Sequence, residues 1–188
     1  MYSLDDLFSQ LLETIQDPEA LNPAKSDPIF YFVYPPELML KVKKNLPRWI
    51  SRTREAGFEV VRVSIVDVFW RIVDESGRWD LWLELEAEAD VDQINEAVRD
   101  VLSQGNTLVN HVADAVESAP EGAVVLLTEA EVLHPYFRTR TIESKLHDKV
   151  KTPTVIFYPG RRSGQYGLHF LDFYPVDGNY RSTLLGGV

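Results

Sequence analysis

The chain has 188 residues, no cysteine and a formal charge of −10. The absence of thiols excludes cysteine catalysis, disulfides and cysteine-ligated metal sites, and the charge argues against broad, non-specific binding to nucleic acid. Length and a hydrophobic content of 45% predict a single domain over residues 1–188. The start MYSLDDLFSQLLETIQ is acidic and amphipathic, unlike a signal peptide, and no apolar run approaches the ~20 residues that span a membrane. A cytoplasmic location is the expectation.

Taken in order, Ser3 is placed to cap a first helix in which Leu4, Leu7, Phe8, Leu11, Leu12 and Ile15 recur at helical spacing. A proline-broken loop, Pro18 to Pro28, leads to IFYFVY, residues 29–34, an aromatic and β-branched strand. Pro35 and Pro36 open a long basic helix with Leu38, Val42, Leu46, Trp49 and Ile50 as its buried stripe, a kink or break expected at Pro47 and a stop at Gly57. Residues 58–65 alternate as a second strand. Helical segments follow at 66–74, from Trp79, and at about 91–103 and 107–117, with Gly105-Asn106 between the last two.

The centre of the pattern is residues 123–160: an apolar strand at 124–127, a charged turn, a helix beginning near His134-Pro135, and a second strand at 154–158. That order and length fit a βαβ crossover. The run LHFLDFY resumes strand character to Tyr174 after too short a loop for a parallel crossover, which predicts an antiparallel hairpin. A turn at Asp177-Gly178-Asn179 precedes a last segment, Tyr180 to Leu185. The fold expected is α/β: a mainly parallel sheet with helices on both faces and a C-terminal antiparallel hairpin, of nucleotide-binding type without a phosphate-binding loop.

The turn after the first strand, Tyr34-Pro35-Pro36-Glu37, lacks two amide donors and carries a carboxylate where a phosphate loop needs glycines and a lysine. Thr128, Glu129, Glu131 and His134 cluster where an open α/β sheet binds ligands. They read either as a carboxylate–imidazole pair able to hold a metal or move a proton, or as a solvated turn with His134 packed beside Pro135. Thr128, His134 and Arg138 form the candidate anion or ligand site, Arg138 facing Glu129 and Arg140 facing solvent or a partner. The other histidines show no metal-ligand spacing with His134, no Gly-x-Ser-x-Gly elbow is present, and no catalytic constellation is recognised.

Charge is uneven. Lys41, Lys43, Lys44, Arg48, Arg52 and Arg54 crowd one segment, and Glu84, Glu86, Glu88, Asp90, Asp92 and Glu96 another. The partner surface is expected on Lys43, Lys44 and Arg48 with Arg161, Arg162 and Tyr166; direct DNA binding would need these patches to overcome the overall charge. Trp70, Trp79 and Trp82 read as core, with Trp79 and Trp82 beside glutamates as possible interface anchors.

Six stretches in order (LDDLFSQLLETI, YFVYPPEL, FEVVRVSIVDV, LLTEAEVLHPYFRTRTIESKL, TPTVIFYPGRRSGQYGLHFL and GNYRSTLL) make this sequence resemble the BrxB family of BREX bacteriophage-defence systems over nearly its whole length. The family's turn after the third strand usually carries glycines, in a form like TGVG; here it is Thr128-Glu129-Ala130-Glu131, which weakens an anion cradle. The resemblance implies a small non-catalytic interaction or scaffold subunit without a cofactor. Its first expected partner is the alkaline-phosphatase-like PglZ, with the methyltransferase PglX and the ATPase BrxC less direct. The alternative is a degenerate nucleotide-binding or hydrolytic domain acting at the end of the third strand.

Overall fold

The structure is a computed structural model that describes residues 3–22, 27–147, 149–178, 180 and 182–187. Its helices are α1 (Leu4–Gln16), α2 (Met39–Glu55), α3 (Ile65–Ser76), α4 (Trp79–Glu86), α5 (Val91–Ser103), α6 (Thr107–Glu117) and α7 (Thr139–Leu146). Its strands are β1 (Ile29–Tyr34), β2 (Glu59–Ser64), β3 (Ala123–Thr128), β4 (Thr154–Ser163), β5 (Gly167–Phe170) and β6 (Thr183–Gly186).

The sheet runs β2-β3-β4-β1-β6 with every neighbouring pair parallel, and β5 turns back antiparallel on the end of β4. This is the mainly parallel sheet with a C-terminal hairpin that the pattern predicts. All six residues of β1 and of β3 are buried, as strands covered on both faces must be. Successive side chains point to opposite faces, so Phe30, Phe32 and Tyr34 enter one core layer, with α1 and α2. Ile29, Tyr31 and Val33 enter the other, with residues of α3 to α7.

On the first face α1 forms where its spacing and its capping serine predict. Ser3 and Asp6 form a capping box, and Leu4, Leu7, Phe8, Leu11 and Ile15 are buried. Trp49 of α2 is fully buried. It stacks on Phe8 with ring centroids 4.9 Å apart, and its indole N–H donates to Asp5 at 2.9 Å. Arg48 also pairs with Asp5. The Trp49 bond first, and Arg48 next, hold the Asp5 carboxyl below its ordinary value.

Four details depart from the sequence reading. α2 continues through Pro47 without a break, because Val42, Leu46, Trp49 and Thr53 bury one continuous stripe on the sheet. α7 begins at Thr139, not near His134-Pro135: the residue before a proline is kept extended, His134 has ψ 135°, and only a short 3₁₀ turn, Ala130–Leu133, precedes it. β5 ends at Phe170 and not at Tyr174, because Leu171 and Asp172 both enter left-handed backbone, φ 52° and 65°. The last strand is confined to Thr183–Gly186 and pairs with β1 at the edge of the sheet. Asn179 of the turn before it lies outside the described residues.

The tryptophans divide. Trp82 is buried, whereas Trp70 and Trp79 are each 45% exposed and meet edge-on at 5.5 Å. On the buried side, the Glu143 carboxylate of α7 accepts from the Tyr31 hydroxyl at 3.2 Å and from Ser182, tying α7 to β1 and to the chain leading into β6.

Candidate functional site

Ligands of open α/β sheets bind beyond the carboxyl ends of the strands. At the end of β1, Pro35 and Pro36 supply no N–H, and Glu37 pairs with Arg161 of the hairpin at 3.4 Å. The position where a phosphate loop would lie is therefore closed by a carboxylate that already has its cation.

The ends of β2 and β3 are built differently. Ser64 and Thr128 are register partners, and Glu129 follows in left-handed backbone, φ 65°, which few residues other than glycine or asparagine adopt. That turn brings the Glu129 carboxylate back over β2. The Ser64 hydroxyl donates to it at 2.6 Å, and Arg62 at 3.1 Å. The Arg62 Nε also donates to the Thr128 hydroxyl at 3.2 Å. From α2, the Lys43 ammonium lies 2.7 Å from Glu131 and 3.5 Å from Glu129. Ser64 does a second job, since its hydroxyl accepts from Asp67 N–H and caps α3.

Between α2 and these strand ends lies a cleft of about 470 Å³ with Leu46, Ile50 and Phe157 as apolar lining and Lys43, Arg54 and Arg62 among its charges. That volume falls in the range of small-molecule sites. Burial opposes ionisation of Glu129, but the Ser64 hydroxyl, Lys43 and Arg62 outweigh it and hold the carboxyl below its ordinary value. The hydrogen bond to Glu131 first, then both carboxylates' charges, raise the Lys43 ammonium. Burial and the same two carboxylates push the Tyr34 phenol well above its usual range. The shifts of Glu129 and Lys43 both favour the charged form. The stabilisation from Glu129 is present above the ordinary carboxylate range and is lost as pH falls through its lowered value. A carboxylate held this way is a weak proton acceptor.

The sequence-predicted site residues separate. Thr128 lines this cleft, bound to Arg62. His134 and Arg138 meet elsewhere, on Tyr174: His134 is hydrogen-bonded to the Tyr174 hydroxyl, and the Arg138 guanidinium lies 3.2 Å from the centre of its ring. Arg138 thus does not face Glu129, because the aromatic face of Tyr174 draws its cation. Arg140, expected to meet solvent or a partner, pairs with Asp177 at 2.8 Å.

Of the expected partner surface, Lys43 is bound to Glu131 and Glu129 and Arg48 to Asp5. Lys44 is exposed and in no ion pair with a described residue. Arg161 holds Asp172 and Glu37, Arg162 reaches the carbonyls of Leu184 and Gln165, and Tyr166 is exposed at the hairpin tip. Sequence reasoning missed Arg62, Ser64 and Tyr174. Two polar residues two apart at the end of a strand that is otherwise apolar after Glu59 were the available signal for the first two; Tyr174 had none. Among the described residues no group of three His, Asp or Glu side chains is arranged to hold a metal ion, and no helix is long and apolar enough to cross a membrane.

These features define a parallel α/β protein whose phosphate-loop position is filled by prolines and an ion pair and whose strand-end carboxylates are held by its own cations. The family model described as BREX protein BrxB matches residues 61–185, well over half of the chain, and the chain belongs to that family. It is thereby a component of a BREX phage-defence system. Comparison with curated proteins and with solved structures finds no match.

Proposed function

We propose that this protein is a non-catalytic scaffold subunit of its BREX system and that PglZ is its principal partner, with PglX and BrxC reached through the assembly. The observation that carries this reading is the lattice at the ends of β2 and β3, in which Glu129 is held by Ser64, Arg62 and Lys43 and Glu131 pairs with Lys43 alone. Groups spent on one another hold a surface in shape; they do not wait for a substrate.

The partner surface combines the outer face of α2 with the hairpin. The Glu37–Arg161 pair joins the start of that helix to the base of the hairpin, and Lys41, Lys44 and Tyr166 are exposed across it. Lys43 and Arg48 are structural members of the surface, so reversing their charge would disturb the fold along with any interface. Co-purification with tagged PglZ tests the proposal. We expect retention at low and moderate salt, and weaker retention with a slower association rate for Lys41→Glu/Lys44→Glu. No association of the unmodified chain contradicts the partner; undiminished association of the variant moves the interface off α2.

The second reading, a degenerate nucleotide-binding or hydrolytic domain acting at the end of the third strand, draws support from the cleft beside Thr128.

A further inference from the structure

On the face of the sheet opposite α2, helices α3 and α4 carry an unusual combination of groups. Helix α4 packs chiefly on α3 and α5 and buries a single residue, Trp82. Its other apolar side chains flank Trp82 and stay in solvent: Leu81 is 51% exposed, Leu83 50% and Leu85 41%. Trp79 lies one turn before Leu83, and Leu81 one turn before Leu85, so two short apolar rows run along the helix. Trp70 of α3, edge-on to Trp79, extends the first row onto the neighbouring helix.

The polar groups along α4 and the segment after it are acidic, with Arg78 at the start of the helix and Arg71 beside Trp70 as the exposed cations next to the rows. From Trp79 to Val98 the sequence has Asp80, Glu84, Glu86, Glu88, Asp90, Asp92 and Glu96 and no lysine or arginine. Every one of these carboxylates is exposed, and none is in an ion pair with a described residue. Elsewhere Asp5, Glu129, Glu131, Asp172 and Asp177 each hold a cation, while Glu55 and Asp114 are likewise exposed and in no ion pair with a described residue. Exposed aromatic and leucine side chains beside a mainly acidic rim are poor surface for a chain left alone in water, and aromatic anchors within a polar rim are what protein interfaces use.

We infer that the α3–α4 face is a docking site for a basic amphipathic helix of a partner protein, leucine-like side chains lying against Trp70, Trp79 and Leu83 and lysines or arginines meeting Glu84, Glu86 and Glu88. Charge complementarity selects the partner: an acidic or neutral helix gains nothing from this rim, and a second copy of this face is repelled by it. The one-turn spacing of the apolar rows matches the i, i+4 ridges of a helix. α2 and α4 lie on opposite faces of the sheet, so this site is separate from the proposed PglZ surface and stands without it.

The test uses the intact chain and a labelled, end-capped peptide of leucine and lysine only, about 14 residues or four turns long, with leucines on one helical face. A second peptide has the same composition with the leucines scattered. Anisotropy titration at moderate salt should show the patterned peptide binding at least about tenfold more tightly than the scattered one. Trp79→Ser/Leu83→Ser, at positions exposed enough to leave the fold intact, should lose about tenfold in affinity for the patterned peptide. Glu84→Gln/Glu86→Gln/Glu88→Gln should slow association and flatten its salt dependence. Thermal melts of both variants establish that they are folded. Equal binding of the two peptides, or full affinity in a folded Trp79/Leu83 variant, overturns the inference. So does sedimentation showing that the unliganded chain dimerises and that the same variant makes it monomeric, since the occupant would then be a second copy.

Discussion

Replacing Trp49 by alanine should destabilise the protein by about 4 kcal/mol, the scale for removing a large buried aromatic side chain. Trp49 is where three elements meet on the α1–α2 face of the sheet. Its ring is stacked on Phe8 of α1, lies 5.4 Å from Phe32 of β1, and is stacked on Phe157 of β4 at 6.1 Å. Alanine would leave a void among rings that cannot all close over it. The Trp49→Phe variant separates packing from hydrogen bonding, since it keeps an aromatic ring and loses the N–H that Asp5 accepts. Its cost should be nearer about 1 kcal/mol. The Asp5 carboxyl should then rise toward its ordinary value, because the Trp49 bond is the largest cause of its depression. A carboxylate depressed in the folded state stabilises above its unfolded pKa and ceases to do so as pH falls through the folded one. The part of the Trp49→Phe deficit that belongs to this bond should therefore shrink in acid. Urea unfolding at neutral and acidic pH measures both variants. A loss below about 1 kcal/mol for Trp49→Ala would mean that this aromatic cluster does not hold α1 and α2 to the sheet.

Gly160→Ala should cost about 3 kcal/mol, at the upper end for forcing atoms into packed space. Gly160 pairs with Phe170 where β4 passes from the parallel sheet into the hairpin. A Cβ there would lie 2.1 Å from the His169 carbonyl oxygen and 2.6 Å from Cε1 of Tyr158. The nearest obstacle is backbone, which no rotamer change removes, so the hairpin would have to part from β4. That would also misplace Arg161, which ties the hairpin to α2 through Glu37. Gly164→Ala is the control: Gly164 has φ 63° with nothing within 4 Å of the added atom, leaving only the cost of a left-handed residue, about 1 kcal/mol. Denaturant midpoints should fall further for Gly160→Ala than for Gly164→Ala. The reverse order would place the strain at the turn and not at the strand crossing.

Much of the fold was legible because periodicity is a local property. The helical spacing from Leu4 to Ile15, the capping Ser3 and the apolar runs of β1 and β3 each announce their element within a dozen residues, and α5 and α6 were bounded by Gly105-Asn106. The family, too, was carried by stretches that lie in order. What could not be read was set by partners distant in sequence. Nothing local states that Arg62 and Ser64 will reach Glu129, more than sixty positions away. The ring of Tyr174 drew Arg138 away from the end of β3. The same limit explains the tryptophans: Trp79 and Trp82 look alike in sequence, and only the placement of α4 across α3 and α5 decides that one is core and the other surface.

If the protein works through its surfaces, the carboxylates beside its cleft serve structure and not chemistry. Plating of phage on cells carrying the BREX genes, with this chain replaced by variants, tests that claim most directly. Thr128→Val removes a hydroxyl from the cleft and Glu131→Gln removes a negative charge, both with little change of shape, and a thermal melt confirms that each is folded. Full protection is expected in both, and reduced protection for Lys41→Glu/Lys44→Glu. Loss of protection in the folded cleft variants, with the α2 variant still protecting, would contradict that claim and assign the function to the cleft.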